Sequence, residues 1–232
     1  MKRVVVFLVA SLTAVTALVA SASAPVVEFK RAQLRVEVNS TDGDAGFQID
    51  LDHEPWRSVT LRTPDGQKIL DVINLGVLRG YGLTELFSES SEPPFTEFPL
   101  AQFKKLFPEG DYVLEGVAID GTLMRSIVTL THDFPAGPKI TAPIADSTVG
   151  ADELVVRWKS VTRPAGIKIV AYEVLVVSDA DPVRVFSVDL PANATSVAVP
   201  AEFLLDGDYK VEVLAIEKSG NQTLSEIAFT VG

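Results

Sequence analysis

The chain has 232 residues, with 31 acidic and 20 basic side chains, a formal net charge of −11, two histidines and no cysteine. A surface this acidic repels phosphate backbones, so nucleic acid and anionic membranes are poor partners. Without cysteine there is no disulfide, no thiol nucleophile and no lipid-anchored cysteine; stability must come from core packing, for which 47% apolar residues are ample.

Met1, Lys2 and Arg3 precede an apolar run from Val4 to Val19 that ends in small residues, the layout of a secretory signal peptide. Two Ala-x-Ala sites compete, one cutting after Ala22 and the other after Ala24. The second would place the stiff Pro25 after the scissile bond, so the first is preferred and residues 1–22 are read as the signal peptide. At roughly 16 residues the run is short for a membrane span. The expectation is a secreted or periplasmic protein with no stable membrane insertion once the signal is cut. Removing Lys2 and Arg3 leaves 18 basic against 31 acidic residues, a net charge of −13.

In the mature chain, Arg31 to Val38 alternates polar and apolar residues as a half-buried strand does. Residues 39–46 form a turn by composition, after which Phe47, Ile49 and Leu51 share one face of a second strand and Asp50 and Asp52 the other. Val59 and Leu61 continue the pattern, and Thr63-Pro64-Asp65-Gly66 predicts a hairpin to Lys68–Ile73. Residues 74–107 break the spacing. They hold an acidic, aromatic stretch from Glu85 to Phe95 and a predicted short helix from Pro99 to Leu106. A strand from Gly110-Asp111-Tyr112, a turn at Asp120-Gly121 and a returning strand from Met124 to Thr131 close a first unit, 25–133. Phe134-Pro135-Ala136-Gly137-Pro138 reads as a stiff linker, 134–138. The second unit, 139–232, shows strand patterns at 153–158, 167–177, 183–190, 196–199, 209–216 and 224–231.

Gly110, Asp111, Tyr112, Ala118 and Ile119 recur at a constant offset of 97 residues as Gly207, Asp208, Tyr209, Ala215 and Ile216. Two tandem domains of sandwich size are therefore expected, and the fold class is all-β. From about residue 136 to 232 the chain resembles a fibronectin type III domain. Trp158, Tyr172, the corner Leu205, Gly207 and Tyr209, and the following Val211, Val213 and Ala215 fall in the family's order. Asp206 departs from the proline usual there, and the corner is one residue shorter. The first unit shares only the corner, at Tyr112, and the final hairpin, so it resembles immunoglobulin-like sandwiches in general. The resemblance implies non-catalytic interaction modules. No Arg-Gly-Asp sequence is present, so the family's integrin-binding role does not carry over.

Asp42, Asp44, Asp50 and Asp52 suggest calcium, but the loop register puts Gly46, Phe47 and His53 where an oxygen ligand, glycine and glutamate are needed. His53 and His132 lie in no paired motif, and no nucleophile elbow, phosphate loop or dinucleotide fingerprint occurs. No catalytic, cofactor-binding or metal-binding residue is assigned. Trp56, Phe95 and Glu92 are the candidate partner-binding residues, with Pro93 and Pro94 presenting Phe95 beside acidic neighbours. Asn39, Asn193 and Asn221 begin glycosylation sequences. The resulting expectation is a binding, adhesion or scaffold module for a protein or glycan partner at the cell surface or in the periplasm. The alternative is a carbohydrate-binding or metal-dependent accessory domain of a hydrolase system.

Overall fold

The computed structural model describes residues 25–232; the signal-peptide reading of 1–22 and the cleavage site lie outside the described residues. Residues 26–130 form strands β1 (Val26–Val27), β2 (Arg31–Asn39), β3 (Asp44–Arg62), β4 (Lys68–Ile73), β5 (Leu83–Glu89), β6 (Gly110–Ala118) and β7 (Leu123–Leu130). Between them lie two short helices, α1 (Leu78–Tyr81) and α2 (Leu100–Leu106). The second half adds β8 (Lys139–Ala142), β9 (Thr148–Val149), β10 (Val155–Lys159), β11 (Ile169–Ser178), β12 (Val185–Pro191), β13 (Ser196–Ala198), β14 (Gly207–Glu217) and β15 (Gln222–Val231). Among the described residues no helix is long and apolar enough to cross a membrane.

The all-β class follows from alternation. Leu34, Val36 and Val38 of β2 are buried while Arg35 and Glu37 lie nearer solvent, and Tyr112, Leu114 and Ala118 of β6 are buried in the same rhythm. Buried apolar residues fall into two clusters, one drawn from 29–130 and the other from 154–231. In the second, the three-stranded sheet β13-β10-β8 packs Val156 and Trp158 against Tyr172, Val174 and Val176 of β11 and Val211 and Val213 of β14. The Trp158 and Tyr172 rings lie 5.4 Å apart.

β3 organises the first half because it changes neighbours. Its register shifts against β5 between Asp52 and Trp56, and against β6 between Trp56 and Ser58. Pro55 lies inside this break, where a residue without an N–H costs no ladder bond. Before the break β3 runs between β2 and β5; after it, between β6 and β4. β4 and β5 therefore follow one another along one edge of β3, with Ile73 opposite Ser58 and Leu83 opposite Trp56.

Among the described residues, a polar seam joins the halves. β15 pairs in parallel with β2, Gln222 against Glu37 and Leu224 against Asn39. Asn221, 1% exposed, accepts from the Val36 N–H through Oδ1 (2.8 Å) and donates through Nδ2 to the Thr131 carbonyl (2.9 Å). Ser40 donates to the Leu224 carbonyl from its backbone N–H (2.9 Å) and from its hydroxyl (2.7 Å), and its Oγ lies 2.7 Å from Ser225 Oγ. Gly137 of the connecting segment crosses here: a Cβ at 137 would collide with Ser40 Oγ and lie 2.6 Å from Ser225 Oγ.

Both repeated tyrosines turn their hydroxyls back on the chain. Tyr112 Oη donates to the Pro108 carbonyl (3.0 Å) and Tyr209 Oη to the Leu205 carbonyl (3.0 Å), while Tyr209 also accepts from the Leu205 N–H (2.9 Å) and from Arg184 (3.1 Å). Burial, reinforced by Asp65, pushes the Tyr112 hydroxyl up to about 12. Tyr209→Phe strips the Leu205 N–H of its acceptor and should cost about 1–2 kcal/mol, read as a lower denaturant midpoint; an unchanged midpoint would remove the structural role of this hydroxyl. Gly137→Ala should cost about 1–3 kcal/mol through overpacking against the two serines, and melting should separate into two transitions as the seam loosens. A single transition at the wild-type temperature would show that the seam accommodates the methyl group.

Candidate functional site

The residues singled out from sequence do not form one surface. Trp56 has no exposed area and is a core residue. Simple alternation from Val59 and Leu61 would turn residue 56 outward, but the bulge between Trp56 and Ser58 adds a step and returns the indole to the inner face. It is therefore no platform for a partner. Phe95 is half-buried against the first core, with its N–H on the Gly43 carbonyl (2.7 Å). Phe103 and Phe107 are packed with the same core, the latter stacked on Phe47 at 4.5 Å. His53 contacts the Glu28 carbonyl (3.1 Å) and His132 the Phe107 carbonyl (2.8 Å), so the histidines serve separate backbone segments. The glycosylation reading fails at Asn221, whose side chain is consumed by the seam.

Asp42, Asp44, Asp50 and Asp52 do not converge. Asp42 accepts from Asn39 (3.1 Å), and Asp50 pairs with Arg31 (3.0 Å). Three other carboxylates meet instead: one oxygen each of Glu37, Glu89 and Glu92 lies within 4.8 Å of the others. They come from β2, β5 and the loop after it, and they gather over Gly46 of β3, where a Cβ would lie 2.6 Å from Glu92 Oε1 and 3.0 Å from Glu89 Oε1. Gln48 donates to Glu89 (2.6 Å) and to Glu37 (3.3 Å), and Gln222 reaches Glu37 from across the seam. Burial and then the charges of Glu89, Asp44 and Glu37 push Glu92 up to about 7; burial raises Glu37 as well, with Arg35 and the two glutamines opposing. Three such oxygens are the kind of set hard divalent cations take, and the same crowding, with burial, favours the protonated forms of Glu92 and Glu37. No sequence motif announces it, because the three glutamates meet only across strands.

The feature most available to another molecule is the nine-residue excursion 74–82 between β4 and β5. Two strands lie end to end on one edge of β3, so the intervening residues must leave the sheet. Asn74, 5% exposed, clamps the exit: its N–H donates to the Arg57 carbonyl (2.8 Å) and its Nδ2 to the Trp56 carbonyl (2.7 Å). Gly82 clamps the return with φ of +84°, donating to the Leu78 carbonyl (2.8 Å) where a Cβ would lie 2.7 Å from that of Pro55. Between the clamps, Leu75 is 75% and Val77 87% exposed just before the single turn α1, and Tyr81 at its end is 82% exposed, beside Ile73 at 63%. A groove of about 290 Å³ at its root is lined by Arg57, Ile73, Leu75 and Arg79. From Val72 to Thr84 there is no acidic residue. The cue in the sequence is apolar residues interleaved with Gly76, Gly80 and Gly82, outside any strand or helix period.

No family model matches the chain, and no curated protein does. Among solved structures it is similar to the fibronectin(III)-like modules of Clostridium thermocellum CbhA, at 16% identity and a TM-score of 0.33 over 89% of this chain and 90% of that one. It is also similar to chicken CNTN1 FN1-FN3 domains, at 11% identity and a TM-score of 0.35 over 90% of this chain and 65% of that one. A third likeness is to the tetra-tandem repeat in the extending region of a large adhesion protein, at 13% identity and a TM-score of 0.32 over 87% of this chain and half of that one.

Glu92 has a folded pKa near 7 against 4.5 for the free group, so its contribution to stability is fully present below 4.5 and is lost as pH rises through 7. The raised values of Glu37, Asp44 and Glu212 act in the same direction. The denaturant midpoint should fall between pH 5 and pH 8, and Glu92→Gln should flatten that fall while raising the midpoint at pH 8. A variant that follows the wild-type pH curve would show that Glu92 is not the titrating group.

Proposed function

We propose that this is a secreted, non-catalytic binding module made of two sandwich domains, in which a stiff β-scaffold presents the apolar finger 74–82 to a surface in the periplasm or outside the cell. The observation that carries this reading is the finger itself. Large apolar side chains held 75% to 87% exposed, on a loop clamped by a buried asparagine and an obligatory glycine, serve no core. Exposed apolar groups that are already ordered bind without the cost of ordering, and apolar contact of this kind marks interaction sites.

The module reading rests on how side chains are used. Both histidines are engaged by backbone carbonyls, and Asn221, Glu37 and Gln222 are committed to the seam. A glycan partner loses its main support with Trp56, since sugar stacking needs exposed aromatic faces and Tyr81 is a lone ring on the finger. The proposed contact is therefore the apolar finger, while Phe95 packs against the first core and Glu92 lies in the glutamate cluster over Gly46.

The decisive comparison uses the secreted chain and two variants, Val77→Asp and Tyr81→Ala. Because both side chains stand in solvent, stability should stay within about 0.5 kcal/mol of wild type. Attachment of labelled protein to cell envelopes of the source organism should drop at least about tenfold for Val77→Asp, equivalent to about 1.4 kcal/mol. Equal attachment of variant and wild type would reject the finger as the contact.

A further inference from the structure

Resting on the reading of 74–82 as the contact feature, we propose that the surface it meets is the headgroup–acyl boundary of a lipid bilayer, which the protein occupies reversibly as a peripheral guest. Size is the first argument. The finger offers Ile73, Leu75, Val77, Leu78 and Tyr81, whereas a stable protein–protein interface takes roughly 20–30 residues a side in matched shape. Near its root the surface turns polar at Asp71, two residues before Ile73, and at Arg57, whose guanidinium is bound to the carbonyls of Ala118 and Ile119. A bilayer asks for no matching shape, and a convex projection suits it.

Chemistry is the second argument. Leu75, Val77 and Leu78 supply aliphatic tips, while Arg79 and Tyr81 are amphipathic side chains that settle at the headgroup level with their polar ends toward water. No carboxylate lies between Val72 and Thr84 in a chain of net charge −11, so these exposed apolar tips can leave water without desolvating an acidic group of their own segment. The clamps at Asn74 and Gly82 hold the tips outward before contact, so insertion orders little.

Charge sets the lipid. The acidic body is repelled by anionic headgroups, so the finger partitions into zwitterionic membranes first, and salt strengthens attachment to membranes containing anionic lipid by screening that repulsion. This is the reverse of the salt response of a polybasic membrane protein.

The test is flotation of the full secreted chain with protein-free vesicles of phosphatidylcholine, and with vesicles of phosphatidylcholine containing a minority of phosphatidylglycerol, at low and high salt. The chain should float with phosphatidylcholine, and Val77→Asp should reduce the bound fraction about tenfold or more. Leu75→Ser should reduce it less, and Phe87→Ser, at an exposed apolar residue of β5, should leave it unchanged. Circular dichroism of each variant verifies the fold. Wild type that stays unbound, or binding indifferent to Val77→Asp, overturns the proposal. If vesicles are ignored while envelope attachment still depends on Val77, the partner is a protein, so the finger reading stands and the lipid does not; if envelope attachment is also indifferent, both fall.

Discussion

Asn221 is the residue on which the arrangement of the two halves depends. Its one buried amide satisfies a backbone N–H of β2 and the carbonyl of Thr131 at the end of the first half, from the start of β15 in the second. Buried amides left without partners are costly, so once the halves meet each makes separation of the other unfavourable. Ser40, Ser225 and Thr41 extend the contact along β15, and Thr131 passes it to Ser219 (2.9 Å), which is bonded to the buried Glu217. Such a seam gives orientation more than affinity, because its bonds replace bonds to water while its geometry admits one register. Gly137 completes it by letting the connecting segment lie against the serines.

The second constraint is the break in β3. One bulged proline segment turns the strand from one set of neighbours to another, brings Trp56 inward and leaves β4 and β5 in line on the same edge. The core and the finger thus have a common cause. Nine residues must leave the sheet between positions two residues apart on β3, and their apolar side chains have no interior to enter. The same strand carries Gly46, over which the three glutamates gather, and Gln48, which bonds two of them. The charge-dense feature near the start of β3 and the charge-poor finger at its break are therefore held by one strand, and a change in its register would disturb both.

Much of the architecture was legible without coordinates, because a strand buried on one face must alternate. That rule alone located β2, the first part of β3, β6 and most strands of the second half, and the repeated Gly-Asp-Tyr segment marked two corresponding corners whose hydroxyls both reach back four residues. The predicted Pro99–Leu106 helix lies at α2, with Pro99 as its cap. The proposed contact feature was less legible. Residues 74–107, where the spacing breaks, contain the sheet strand β5 as well as α1 and α2, and the exposure of Leu75 and Val77 could not be read from the sequence, since exposure of an apolar residue depends on whether the fold offers it a cavity.

The sequence by itself determined the periodic part of this protein: the all-β class, the repeated corner, the acidic surface and the lack of covalent cross-links, each a property of local order or composition. Tertiary structure alone decided which way Trp56 faces, that Glu37, Glu89 and Glu92 meet, that Asn221 is a lock, and that 74–82 stands clear of the sheet. Each of these depends on register between strands distant in sequence, and a one-residue bulge reverses the face of a side chain with little mark in composition.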